Sequence, residues 1–321
     1  MNEKTVATAG PEQLTPTEGT AESETFTAPA ALQIVEELCS SAGVTRADAA
    51  VVQPPADNAT IILPSAGLVA RIAVDVTHLP RMRKELDVAA WFADRDVPAV
   101  RLALSPPSSQ LTIHRGRVVS WWQYLPSSER ATTEQLAAAL RRVHDQPGPP
   151  PAIGRLDPFA RIDHQIAAAT GLDERERHRL HQHRNQFAER WAASSWPHHS
   201  PQVLVHGDAH VYNSLILEGQ VHLLDFEDTA LGPWPWDLAT PVMYQRIGWM
   251  SPAELDVTIS AYGRDPQQIA DFDLLVSIRM LRATCWYASR SGREPHVLDQ
   301  VRLRIASLSD RSLLAGWSPG W

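Results

Sequence analysis

The chain has 321 residues, 44% of them hydrophobic and 21% charged, an ordinary globular balance long enough for two lobes with their own cores. Its formal net charge of −8 argues against a nucleic-acid partner held through phosphates and favours long-range attraction of a cationic ligand. No apolar run approaches the roughly 18 residues that cross a bilayer. Cys39 and Cys285 lie outside metal or redox spacings, and residues 1–30 hold no charged-then-apolar leader, so the expectation is a cytoplasmic protein without a membrane partner.

Residues 1–28 are mostly Thr, Ala, Glu, Gly and Pro and read as a disordered tail, because they offer too little apolar surface to offset ordering entropy. From Pro29 onward Leu32, Val35, Leu38 and Cys39 share one helical face, and Gly43 is a stop signal. Residues 59–63 and 68–74 are β-rich and flank Pro64-Ser65-Ala66-Gly67, which predicts a hairpin. Residues 79–95 predict a helix with Pro80 in its first turn and Met82, Leu86, Ala89 and Ala93 on one face. Three further strands are expected at 100–104, 110–114 and 117–124, completing a small lobe over residues 29–126.

After Pro126 the chain turns helical, with Thr132 and Gln135 at capping-box spacing ahead of Leu136, Leu140 and Val143. Pro147 to Pro151 forms a rigid turn. The lobe of residues 127–321 reads as mostly helix, interrupted by strands at 202–206, 214–217 and 220–224, the last two joined through Glu218-Gly219. Ser251-Pro252-Ala253-Glu254 and Asp265-Pro266-Gln267-Gln268 both carry helix-start signals. No internal repeat is present.

Chemistry concentrates in His206-Gly207-Asp208-Ala209-His210-Val211-Tyr212-Asn213 and in Leu224-Asp225-Phe226-Glu227. Phosphoryl transfer takes little covalent help from a protein, so its rate comes from positioning and charge neutralisation. Asp208, on a loop after a strand, suits the orienting of an acceptor hydroxyl; Asn213 and Asp225 offer the hard oxygen atoms that Mg²⁺ prefers. Taken alone, His206, Asp208 and His210 are equally compatible with ordinary loop polarity.

These residues, followed by Trp236-Asp237-Leu238-Ala239, resemble the signature of the aminoglycoside phosphotransferase and choline kinase superfamily, most closely over residues 202–240. The resemblance implies an α+β, bilobal, protein-kinase-like fold: a small lobe of antiparallel sheet and helix beside a large, mostly helical one. It implies ATP, with GTP not excluded, and Mg²⁺ as cofactors, and a small-molecule hydroxyl acceptor such as an aminoglycoside, amino sugar or amino alcohol. Asp208 is then the catalytic residue, Asn213 and Asp225 the metal ligands, and His206 and Asp237 the braces of the loop. Arg71 and Glu85 match the basic residue that holds the α- and β-phosphates and the glutamate that pairs with it, although a surface ion pair would look the same. No glycine-rich loop precedes Arg71; residues 53–60 stand in its place, with Asn58 the only evident donor. Residues 120–126 resemble the hinge, where backbone groups near Gln123 and Leu125 would bind adenine, and Trp121 and Trp122 suit core packing.

Glu227 and Asp228 would face an amine-bearing acceptor, assist a second ion, or simply start a helix. His178, His181, His183, His198 and His199 have the density of a zinc site, but Leu180, Phe187 and Trp191 mark the buried face and put most of these histidines on a solvated one. Two other functions compete with a kinase: an inactive nucleotide-binding module, suggested by the missing glycine loop, and a metal-dependent hydrolase using His206, Asp208 and His210. Resistance to an antibiotic is one consequence that a kinase of this kind can have.

Overall fold

The structure, a computed structural model, describes residues 26–45, 48–53, 58–150 and 152–318. The expected tail therefore falls largely outside the described residues, as do residues 54–57 of the segment standing in for a glycine loop and Pro151 of the proline turn. Within them, the tail reading stops short of residue 28: Phe26 lies under the Arg117 guanidinium, and Thr27 caps α1 (Ala28–Ser41) by accepting from the Ala30 amide.

The small lobe is a five-stranded antiparallel sheet in the order β1-β2-β3-β5-β4, formed by Ala50–Gln53, Asn58–Leu63, Leu68–Ala73, Leu111–His114 and Arg117–Gln123. Period-two alternation sorts its side chains. Leu68, Ala70 and Ile72 of β3 and Val119 and Trp121 of β5 pack on α1 with Ile34, Val35 and Leu38. Val69, Ala73, Val118 and Trp122 face the other way, toward α2 (Leu79–Asp94). Arg71 shares that second parity, so it points at α2. The buried stripe of α2 runs through Met82, Glu85, Leu86, Ala89 and Phe92. Ala93, expected on that stripe, is exposed, and Phe92 takes its place. Glu85 is therefore a carboxylate on an apolar face, a position that demands a cationic partner.

Residues 100–104, expected as a strand, form none. Their hydrogen bonds divide between two lobes: Arg101 and Trp121 carbonyls accept from Gln123 and Ala103, while the Val100 amide donates to Leu223. Splitting its pairing this way makes the segment a strap between lobes.

The large lobe is built on α3 (Thr133–His144), α4 (Ile162–Ala168), α5 (Glu174–Ala193), α6 (Pro235–Arg246), α7 (Pro252–Tyr262), α8 (Phe272–Ser289) and α9 (Leu298–Ser307). α8 is central and buried nearly all round, with Leu274, Leu275, Ile278, Leu281 and Cys285 packed among α4, α5 and α6. Capping boxes start α3 at Thr132 and α7 at Ser251, as their spacing predicts. The Asp265 signal starts only a 3-10 turn, Pro266–Gln268, because Ile269 is extended and Asp271 adopts a left-handed conformation before α8 begins.

Two short two-stranded sheets carry the loops between the lobes. β6 (Gln202–Val205) pairs with β9 (Ala230–Pro233), and β7 (Ser214–Leu217) with β8 (Gln220–Leu223). The β7–β8 turn has positive φ at Glu218 and Gly219, 51° and 76°, which matches the right-handed strand twist. β9 was not expected because Gly232 and Pro233 are poor strand formers. Gly232 is there because a side chain would press on Leu156 and Val205.

Replacing Ser251 by Ala removes the acceptor of the Glu254 amide and should lower stability by about 1 kcal/mol, within the range of N-cap losses. Urea denaturation checks this, and an unchanged midpoint would contradict it.

Candidate active site

The loop after β6 is fixed by a carboxylate on a different element. Asp237, fully buried in the first turn of α6, accepts from the His206 amide at 2.7 Å, the Gly207 amide at 2.9 Å and His144 Nε2 at 3.0 Å. His144 in turn meets the Tyr262 hydroxyl at 2.8 Å. Burial alone would raise the Asp237 carboxyl; the hydrogen bond from His144, the nearby His206 and the backbone amides outweigh it and hold the group below its ordinary value. His206 Nε2 lies 2.9 Å from the Leu224 carbonyl, which makes it the donor and leaves Nδ1 to accept from the Asp208 amide at 3.4 Å. One histidine thus ties the segment holding Asp208 to the segment holding Asp225.

Gly207 is required for two reasons. Its φ is +87°, and a Cβ there would stand 2.2 Å from the Asp228 carbonyl oxygen. Its own carbonyl accepts from Trp236 Nε1 at 2.9 Å and from Arg279 at 3.0 Å.

Asp208 receives a second bond from Arg279 at 2.8 Å, and His210 Nε2 lies 3.5 Å from its other oxygen. Burial works to raise this carboxyl, but Arg279, His210 and Arg282 prevail and hold it well below the usual carboxylate range. It is ionised at neutral pH and can accept a hydrogen bond from a hydroxyl.

The β7–β8 hairpin brings Asn213 and Asp225 to the same end. Ser214 is paired with Leu223, and the Leu224 amide donates to the Asn213 carbonyl at 3.0 Å. Asn213 Nδ2 donates to the Asp208 carbonyl at 3.0 Å, which commits its nitrogen and leaves Oδ1 as the ligand atom. Asp225 has φ 61°, and its Oδ1 is buried without a hydrogen-bond partner. A buried orphan carboxylate oxygen and an amide oxygen form a donor set that suits a hard divalent cation.

On the opposite wall Arg71 bonds Glu85 and reaches within 3.8 Å of Asp225. Burial, reinforced by Asp225 and Glu227, raises Glu85 against the pull of Arg71 and the Phe226 amide. Burial also disfavours the Arg71 charge, but Glu85, Asp225 and Glu227 outweigh it and keep the guanidinium protonated. With three carboxylates around one arginine, this wall is short of positive charge. The surface-pair alternative for Arg71 and Glu85 does not hold, since Glu85 is 2% exposed and Arg71 16%.

The hinge-like segment is partly engaged within the chain: the Gln123 amide donates to Arg101, and the Leu125 carbonyl accepts from Ser127. The Gln123 carbonyl and Leu125 amide remain as candidates for a base edge. Trp121 and Trp122 are both core residues. Asn58 opens β2, buried and paired with Ala73. The histidines of residues 178–199 lie apart from this cleft, all but the half-buried His183 exposed, and no group of three metal-ligating side chains occurs among the described residues. His206 faces the Leu224 carbonyl, which removes it from a His206, Asp208, His210 ligand set.

Sequence reasoning missed His144, Arg161, Arg279 and Arg282. The signal for the last two was present: arginines three apart on an otherwise apolar helix are expensive unless each has a partner. Arg279 has Asp208 and Arg282 has Asp228, while Glu227 and Asp228 together hold Arg161. Arg161 bonds both, at 2.7 Å to Glu227; Arg282 bonds Asp228 at 2.6 Å; and Arg81 lies 3.7 Å from Glu227.

The sequence model of the phosphotransferase enzyme family matches residues 55–272. The chain belongs to that family. Solved structures share its fold: an amicoumacin kinase in complex with AMP-PNP and Ca²⁺, at 12% identity and TM-score 0.67, covering 89% of this chain and 95% of that one. A microcompartment-associated aminopropanol kinase gives 18% and 0.63, over 88% and 99% of the two chains. The choline kinase from Streptococcus pneumoniae gives 13% and 0.60, over 87% and 99%. Comparison with curated proteins yields no match. At these identities the likeness establishes the bilobal protein-kinase-like fold. No helix among the described residues is long and apolar enough to cross a membrane.

A depressed carboxyl contributes stability that is complete above its unfolded value, about 3.9, and is lost as pH falls through the folded value. Asp237→Asn should therefore cost about 3 kcal/mol at neutral pH and flatten the acid limb of the stability curve below about pH 4. Urea unfolding across that range tests both effects; a variant as stable as the parent, with the same acid limb, would contradict the clamp.

Proposed function

We propose that the protein is a kinase that transfers the γ-phosphoryl group of ATP to a hydroxyl of a small polar molecule. The observation that carries this reading is the convergence of an ionised Asp208, the Asn213 side chain and the orphan oxygen of Asp225 on one loop pair facing Arg71 and Glu85. Solved structures of the same fold carry AMP-PNP with Ca²⁺, or ADP with spectinomycin, which supports a nucleotide and a divalent ion as cofactors and a small molecule as acceptor.

Asp208 would accept the hydrogen bond of the acceptor hydroxyl and aim its oxygen at the γ-phosphorus. As the new O–P bond forms, the bond from that phosphorus to ADP breaks and the hydroxyl proton passes to Asp208 and then to solvent. A low-lying carboxyl is a weak base, so Asp208 contributes mainly orientation, with the proton moving late. Arg71, held by Glu85, would bind the α- and β-phosphates. Asn213 and Asp225 would hold Mg²⁺, which supplies charge neutralisation on the phosphates when bound. The Gln123 carbonyl and Leu125 amide would receive adenine, with Asn58 at the phosphate-covering strand. The cytoplasm is the expected setting, and resistance to an antibiotic would follow only from an antibiotic acceptor.

A second reading, a nucleotide binder without turnover, is favoured by the absence of a glycine-rich loop before Arg71 in the sequence and by the engagement of Asp208 with Arg279. Asp208→Asn should lower transfer by about 10²- to 10⁴-fold while leaving MgATP affinity within a few-fold of the parent. Asp225→Ala should abolish the dependence of nucleotide binding on divalent ion. Phosphotransfer assays and calorimetry with and without Mg²⁺ measure these. Equal activity of the Asp208 variant and parent would refute the kinase reading.

A further inference from the structure

The chain of charges that starts at Asp208 identifies what the acceptor carries besides its hydroxyl. Asp208 bonds Arg279; one turn later on α8, Arg282 bonds Asp228; Asp228 is shared with Arg161; Arg161 also bonds Glu227, which Arg81 approaches at 3.7 Å. Lys84 closes the group through the Thr229 carbonyl at 3.1 Å. Five cations, Arg81, Lys84, Arg161, Arg279 and Arg282, thus face three carboxylates, Asp208, Glu227 and Asp228. This is the reverse of the Arg71 wall, where Glu85 and Asp225 outnumber the arginine and Glu227 is shared between the two groups.

The excess is poorly screened. The side chains of Arg279, Arg282 and Arg161 are 7%, 13% and 23% exposed. Arg279 Nε is buried with no hydrogen-bond partner. Burial and the neighbouring Arg279 and Arg161 push Arg282 below its ordinary value in spite of Asp228. Arg161 is different, since Asp228 and Glu227 outweigh its burial and hold it above its ordinary value; the under-compensated guanidinium groups are the orphaned Arg279 and the crowded Arg282, and planar forks of this kind match carboxylate and phosphate oxygens.

We propose that the acceptor is an anionic alcohol, a hydroxyl compound bearing a carboxylate or phosphate that Arg161, Arg279 and Arg282 receive while Asp208 receives its hydroxyl. This rests on the kinase reading of Asp208 and departs from the amine-bearing acceptor that the sequence suggested. An amine would have to lodge among five cations, with Asp228 already bonded to Arg161 and Arg282 and Glu227 to Arg161. The anion also has a positional effect: by taking up Arg279, it frees an Asp208 oxygen for the hydroxyl.

The test uses the full chain, MgATP and matched panels: glycerate, 3-hydroxybutyrate and glucose 6-phosphate; choline, 1-amino-2-propanol and kanamycin; and glycerol. ADP release reads transfer, and thermal shift without nucleotide reads binding. Transfer and upward melting shifts confined to the anionic panel are expected. Arg282→Met should raise KM for the anionic acceptor about 10- to 100-fold with KM for MgATP unchanged, and Arg282→Lys should fall between. Should the Met variant fail to fold, the Lys variant and the parent's melting shifts still decide. Transfer to an amine-bearing alcohol, with the anionic panel idle, would overturn the acceptor class and leave the kinase reading standing. Silence toward every compound, with no melting shift from MgAMP-PNP, would take down both.

Discussion

Asp237 is the point from which the site is built. A single buried carboxylate takes two consecutive amide protons, from His206 and Gly207, and the ring of His144, and so fixes the backbone just before Asp208. It comes from the first turn of α6, where the positive end of the helix dipole favours a negative charge. Its value lies in holding geometry: without it, the turn at Gly207 would carry unsatisfied buried amides, and the aim of Asp208 would be lost.

Two further contacts transmit that position. The His206 ring bonds the Leu224 carbonyl, so the segment bearing Asp225 follows the segment bearing Asp208. The absence of a side chain at Gly207 lets the Asp228 carbonyl approach, so the segment leading into β9 packs directly on the loop. The lobes then impose opposite charge balances on the two halves of the cleft. Arg71 is over-supplied with carboxylates, which suits a cation and its polyphosphate; the α8 arginines are over-supplied with their own kind, which suits an anion.

Much of this was legible in the residues. Alternating strands placed the β2–β3 hairpin, capping boxes placed α3 and α7, and the spacing from His206 to Asp237 carried the family. The structure adds the reason that His206 and Asp237 are distant in sequence yet adjacent in function. The misread segment 100–104 and the missed β9 share a physical cause: their identity depends on partners far along the chain. Residues 100–104 have strand composition but pair with two different strands; β9 has anti-strand composition but is held by β6. Arg161 sits 118 residues before Arg279 by number, and its role appears only when Glu227 and Asp228 are seen between Arg161 and Arg282. Net charge pointed toward a cationic ligand, whereas local charge near Asp208 points the other way. A global sum says nothing about one wall of a cleft.

The central claim is that Asp208, Asn213 and Asp225 converge on one nucleotide and ion site. Anomalous diffraction from crystals grown with Mn²⁺ and AMP-PNP tests it most directly. The manganese peak is expected about 2.1 Å from Asn213 Oδ1 and an Asp225 oxygen, with the terminal phosphate between it and Asp208. A peak on other side chains, or a nucleotide bound away from these residues, would contradict it.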